Sequence, residues 1–348
     1  MAMISICLVG AFGDETSQVG GQEVKTRNLY KILLSRYGVD NIVCVDTRSW
    51  KSHPLKVFNL LKRGVKQSNV IIMLPAHNGV KIFTPLLLRL VRNSGKKLFY
   101  DVIGGWLPQM LLSNVKLKEK LRIFDGIWVE TESMRTSLVK EGLDNVFVIP
   151  NFKFINALDR ESGFEQNKRP LKVCTFSRVI KEKGIEDAIE VVGKLNQNGI
   201  DCSLDVYGPI GDCYRDEFLE IMKKSPKYIS YKGCIPPEDS ISVLNGYYAL
   251  LFPTRYKTEG IPGTIIDAYG AGLPVVAADW DSCDDIVINN VTGIKFELGN
   301  NDLMYSALKY CIENSEWWNS LRKNCLKEYE KYDPLRVAEQ IYSQIEGV

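Results

Sequence analysis

Acidic residues are missing from one whole stretch of the sequence. Residues 51–100 hold ten lysines and arginines and not one aspartate or glutamate. Long apolar runs are missing too. A bilayer-spanning helix needs roughly 20 apolar residues, and the best candidate, PLLLRLV, is broken by Arg89. Histidine is scarce, at two residues, and the nine cysteines include no C-x-x-C pair. That excludes a zinc site of the usual spacing and a disulfide framework, and points to reduced thiols in a cytosolic protein. The first βα turn, GAFGDETSQVGGQE, lacks the G-x-G-x-x-G spacing of a dinucleotide site. The opening MAMISICLVGAF lacks a basic leader and a cleavage site, so it reads as a first strand rather than a secretion signal.

What is present is a chain of 348 residues, 45% hydrophobic and 25% charged, which is ordinary for soluble globular domains. At roughly 100–200 residues per domain, two domains are expected. The net charge of +2 conceals an asymmetry: residues 1–150 hold 21 basic and 12 acidic residues, and the remainder 23 and 30. Such a split suggests that the first half faces an anion.

Short apolar runs alternate with helical periods. The runs at 3–10, 42–46, 70–74, 97–103, 126–130 and 146–150 read as buried strands. Between the first two, EVKTRNLYKILLSRYG repeats Val24, Asn28, Leu29, Ile32 and Leu33 at helical spacing before Gly38. The polar segment ALDRESGFEQNKRP interrupts, and alternation resumes at 171–177, 203–208, 228–233, 247–253, 274–278 and 293–296. Strands alternating with helices predict parallel sheets covered on both faces. The expected division is a first Rossmann-like domain over 1–156, a linker over 157–170, a second over 171–332, and a last helix over 333–348 that is free to return to the first domain. The fold class is α/β: two doubly wound domains, expected to face each other across a ligand cleft.

One segment concentrates the chemistry. In TEGIPGTIIDAYGAGLPVVAA, residues 258–278, Glu259 precedes a Gly-Ile-Pro-Gly turn, a short helix carries Asp267, and a strand follows. Gly260 and Gly263 let the backbone approach a ligand closely. The helix start at Gly263–Thr264 offers free N–H groups and partial positive charge to a phosphate or sugar oxygen.

This segment resembles the Glu-x7-Glu motif of GT-B glycosyltransferases, in particular the large family 4 of retaining, nucleotide-sugar-dependent enzymes of the bacterial polysaccharide and capsule type. FSRVIKEKGIEDAIEVV resembles the family's Gly-Arg…Lys-Gly segment. AGLPVVAADW and DDIVINNVTGIKF resemble its later strand and turn, GGQEVKTRNLYKIL its N-terminal glycine loop, and VFVIPN the close of its first domain. The resemblance covers nearly the whole chain. It implies that Arg178 and Lys183 hold the donor diphosphate and that Glu259 binds the donor sugar. The amides of Gly260, Ile261, Pro262, Gly263 and Thr264, less the imide nitrogen of Pro262, would cradle sugar and β-phosphate. Asp267 would meet the ribose, and Gly20 and Gly21 would let the first domain close on the phosphates. Asp267 is one methylene shorter than the family's second glutamate, and Ser177 stands where the family carries glycine.

Other signals compete. Asp279, Asp281, Asp284 and Asp285 resemble a metal-binding DxD cluster, but Asp285 aligns with a family glutamate and two cations make a metal unnecessary, so none is expected. His77, Asp101 and Trp106 follow first-domain strands and are the acceptor-side candidates. The stretch SWKSHPLKVFNLLKRGVKQ, 49–67, fits two readings: an amphipathic helix with a solvated basic face, or peripheral docking on an anionic leaflet. Nucleic acid is excluded as a partner by the absence of any recognition motif. The expected function is metal-independent, retaining transfer of a sugar from a nucleotide-diphosphate donor to a lipid-linked glycan acceptor in bacterial polysaccharide biosynthesis, in the cytoplasm or on the inner face of the cell membrane, without cofactors. Two alternatives stay open: a sugar-nucleotide epimerase of related architecture, and a non-catalytic nucleotide-sugar-binding subunit.

Overall fold

The computed structural model describes residues 3–13, 20–154, 157 and 169–347; the expected linker falls almost wholly outside them. The chain divides into two compact units, Met1–Phe154 with Asp333–Val348, and Ile155–Tyr332.

The first unit holds one six-stranded sheet. Its strands are β1 (Ile6–Gly10), β2 (Ile42–Asp46), β3 (Val70–Met73), β4 (Lys97–Asp101), β5 (Gly126–Val129) and β6 (Val146–Val148). Their spatial order is β2-β1-β3-β4-β5-β6, and every pairing is parallel. Alternate side chains of a strand point to opposite faces, so β1 feeds two cores. Cys7 and Val9 enter one with Val57, Leu61 and Phe83. Ile6 and Leu8 enter the other with Leu29, Ile32 and Leu33. This double burial is why β1 reads as an unbroken apolar run.

The second unit repeats the architecture. Its strands are β7 (Leu171–Phe176), β8 (Cys202–Tyr207), β9 (Ile229–Gly233), β10 (Ala249–Phe252), β11 (Val275–Asp279) and β12 (Gly293–Glu297). Their order is β12-β11-β10-β7-β8-β9, again parallel throughout. Consecutive strands β7 to β9 run outward one way, and β10 to β12 the other. The winding therefore reverses between β7 and β10, the position where open α/β sheets take ligands.

The last helix, Pro334–Glu346, belongs to the first unit. Asp333 caps it by accepting from Leu335 and Arg336 N–H, and Pro334 occupies its first turn. Its apolar face joins the core holding Leu29 and Ile32. Tyr342 donates to Ile32 O at 2.9 Å, and Arg36 pairs with Glu346 at 3.2 Å. No helix among the described residues is long and apolar enough to cross a membrane.

Candidate active site

β7 and β10 are hydrogen-bonded neighbours, so the loops at their carboxyl ends emerge side by side. The β7 loop carries Ser177 and Arg178, then one tight turn over Lys181–Lys183. Gly184 follows at φ +67°, and a Cβ there would lie 1.9 Å from Pro253 O. Only glycine permits that approach. The β10 loop is thereby pressed onto the turn, and three hydrogen bonds fix it: Arg255 N–H to Glu182 O at 2.8 Å, and the Arg255 guanidinium to both oxygens of Asp187 at 2.9 and 2.6 Å.

The result brings Lys183 against Glu259, 76 residues apart in sequence. The two side chains form an ion pair and are 12% and 16% exposed. Thr254 Oγ1 donates to the same carboxylate at 2.8 Å. The Lys183 ammonium also lies 5.4 Å from the Phe252 ring centroid and 5.3 Å from that of Tyr256, within cation–π range. Arg178 is exposed, and its charge reaches the Tyr256 phenol. Burial pushes that phenol's pKa up, reinforced by Glu182 and Glu259 and opposed by Arg178.

Glu259 leads into Gly260–Pro262 and the helix Gly263–Gly270. No side chain caps that helix, so its first N–H groups are open to an anion. The Thr264 hydroxyl in the first turn is buried and has no hydrogen-bond partner among the described residues. Asp267 sits in the same helix but is 1% exposed. Its neighbours Ile265 through Gly270 are buried with it.

The acidic residues after β11 are partly neutralised from within. Lys295 pairs with Asp284 and, at 3.4 Å, with Asp279. Among the described residues no group of three or more histidine, cysteine, aspartate or glutamate side chains is placed to hold a metal ion.

The remaining sequence candidates lie in the first unit. Gly20 precedes the helix Gly21–Tyr37, whose start has no side-chain cap. A Cβ on Gly21 would meet nothing within 4 Å, so packing gives no reason for glycine there. His77 opens the helix His77–Val91, and its ring lies 5.1 Å from that of Trp106.

Asp101 requires a correction. Its position at the end of β4 suggested an acceptor-facing carboxylate, yet it is 2% exposed. It pairs with Lys25 at 2.8 Å, and Lys25 reaches Glu130 at 3.0 Å and donates to Val102 O at 2.8 Å. Burial pushes the Asp101 pKa up to about 6 against the pull of Lys25. Burial also works to lower the Lys25 pKa, but the two carboxylates outweigh it and raise the balance. Lys25, buried on the inner face of the first helix, was missed from sequence. Its spacing to Leu29 and Ile32 along the apolar stripe is the signal that could have found it.

Residues 159–331 match the family model described as glycosyl transferases group 1. The match runs through nearly all of the second unit. A glycogen synthase of Trichodesmium erythraeum is 25% identical over 185 residues, 51% of this chain and 40% of that protein. CapM, a capsular polysaccharide biosynthesis glycosyltransferase of Staphylococcus aureus, is 22% identical over 62% of this chain and 60% of its own length. The chain thus spans less than two thirds of either relative. Among solved structures, Anabaena Alr3699/HepE in complex with UDP and glucose superposes with a TM-score of 0.75 at 15% identity, covering 99% of this chain and 100% of that one. The sucrose-phosphate synthase of Thermosynechococcus elongatus reaches 0.76 at 14% identity, covering 99% of each. At these identities the likeness is one of fold, the two-domain α/β fold of GT-B glycosyltransferases.

Proposed function

We propose that the protein moves a sugar from a nucleotide-diphosphate donor to a glycan acceptor, with retention of anomeric configuration and without a metal. The observation that carries this is the Lys183–Glu259 pair beside an uncapped helix start, at the winding reversal of a group 1 glycosyl transferase unit. In this reading Arg178, Lys183 and the N–H groups at Gly263–Thr264 hold the diphosphate, Glu259 orients the sugar, and Asp267 serves the ribose. The bond from the anomeric carbon to the β-phosphate oxygen breaks, and its electron pair leaves with the diphosphate. The cations and helix N–H groups stabilise that growing charge more than they stabilise the bound donor, which is where the acceleration arises. The acceptor hydroxyl forms the new bond from the same face, and its proton passes to the departing phosphate.

The acceptor belongs to bacterial polysaccharide assembly and is carried on a lipid. In this reading the first unit makes peripheral contact with an anionic leaflet. Residues 51–123 hold fourteen basic and two acidic residues, and Leu55, Leu112, Val115 and Ile123 are exposed by 59 to 78%. Cations near such a surface contribute about 1 kcal/mol each.

Supplying nucleotide sugars with and without a glycan acceptor, in the presence of a chelator, tests the transferase reading. Acceptor-dependent release of a nucleoside diphosphate, with retained configuration by NMR, is the expected result. Conversion of the nucleotide sugar without an acceptor would instead identify an epimerase, and binding without turnover a non-catalytic subunit.

A further inference from the structure

The first unit contains a cavity of about 500 Å³ that the donor chemistry does not use. It lies at the carboxyl ends of β2 and β3, which flank β1 in the sheet. Its walls come from three places. Arg48, Trp50 and Lys51 follow β2; His77 and Asn78 open the helix after β3; and Gln22 sits in the first turn of the helix after β1. Gln22 Nε2 donates to Leu74 O at 3.5 Å, linking that helix start to β3.

The lining has a definite chemistry. It includes two cations and a histidine but no aspartate or glutamate. Arg48 is held in place by Asp46 at 2.9 Å, from outside the lining. Lys51 is exposed and makes no ion pair among the described residues. Neither helix that begins here has a side-chain cap, so both add partial positive charge. Beside the cations stands an aromatic wall. Trp50 packs on Phe83 with ring centroids 5.1 Å apart and remains half-buried. An indole presents a broad, stiff, amphipathic surface that suits a ring ligand. The volume is within the ~300–1,000 Å³ of small-molecule sites.

We propose that this cavity takes an acid-bearing sugar of the acceptor: the ring lies against Trp50, and the carboxylate or phosphate is met by Lys51 and Arg48. The proposal rests on the transferase reading and adds to it the class of acceptor. Among the described groups lining the cavity nothing repels an anion, and Lys51, which makes no ion pair among the described residues, gains one from an acid group but not from a neutral sugar.

The test is calorimetric titration of the full chain with three disaccharide probes: cellobiose, cellobiouronic acid and a cellobiose monophosphate. UDP, GDP, ADP and TDP are titrated in parallel. At least one acid-bearing probe should bind tenfold or more tightly than cellobiose, and the stronger of the two names the acid as carboxylate or phosphate. Lys51→Ala, an exposed position, should reduce that preference to threefold or less and leave UDP affinity unchanged. Trp50→Leu should weaken the acid-bearing probes and cellobiose together. Equal binding of all three probes, no binding of any, or an acid preference that survives Lys51→Ala would overturn the proposal. Binding of none of the four nucleoside diphosphates, with the acid preference intact, would strike the transferase reading alone.

Discussion

The molecule contains two clusters built from the same parts, a lysine held between carboxylates or hydroxyls at the carboxyl end of a parallel sheet. In the first unit, Lys25, Asp101 and Glu130 are all below 5% exposed. In the second, Lys183 and Glu259 keep 12% and 16% of their side-chain surface. That difference separates their roles. The first cluster is sealed: Lys25 donates to two carboxylates and a backbone carbonyl, tying the helix Gly21–Tyr37 to the ends of β4 and β5. The second is reachable. It stands beside open helix N–H groups and an exposed arginine, and its partners can be exchanged for those of a ligand. Type and spacing of residues do not distinguish the two; burial does.

The comparison can be broken at either end. The largest effect is expected in the open cluster and on activity: Glu259→Ala should lower transfer by at least about a hundredfold, equivalent to roughly 2.7 kcal/mol of barrier. Its circular dichroism and melting should stay near those of the parent. Steady-state rates near the parent's would remove Glu259 from the site. In the sealed cluster the effect should fall on stability. Lys25→Met leaves two buried carboxylates without their cation, a change that costs about 3–5 kcal/mol. Lys183→Met should cost of order 1 kcal/mol, because water still reaches its partner. Urea unfolding of both variants measures the contrast, and equal losses would erase it.

A further effect in the sealed cluster concerns pH. Asp101 titrates near 6 in the folded protein and near the ordinary carboxylate value of about 3.9 when unfolded. Between these values the folded state holds a proton that the unfolded chain has released. This group therefore makes stability fall as pH rises through that window, by up to about 1.4 kcal/mol per pH unit. Asp101→Asn should remove that slope. Unfolding curves for parent and variant at pH 4, 5, 6 and 7 would show it as a difference between the two; parallel curves would mean that Asp101 is not held neutral by burial.

All twelve strands were legible in the sequence: β1, β3, β5 and β10 are buried at every position and read as unbroken apolar runs, while β8 alternates buried and half-buried residues. The reversal between β7 and β10 was not, since order within a sheet depends on which strands pair and not on their patterns. Glu259 and the Gly260–Thr264 turn were legible as one contiguous motif. Its coupling to Lys183 was not, because Gly184 and the Arg255–Asp187 pair bring together loops far apart in the chain. The reading of Asp101 as acceptor-facing came from the rule that strand ends point to ligands. That rule places a side chain at the right edge of the sheet but does not reveal the lysine waiting there.

The central claim is that the open cluster is a nucleotide-diphosphate site. The most direct measurement is thermal stability against UDP, GDP, ADP and TDP, with CMP as control, for the parent and for Arg178→Ala. A ligand at 100 times its dissociation constant stabilises by about 2.7 kcal/mol. The account predicts a shift selective for one diphosphate in the parent and a smaller shift in the variant. No shift with any nucleotide, or one untouched by Arg178→Ala, would contradict it.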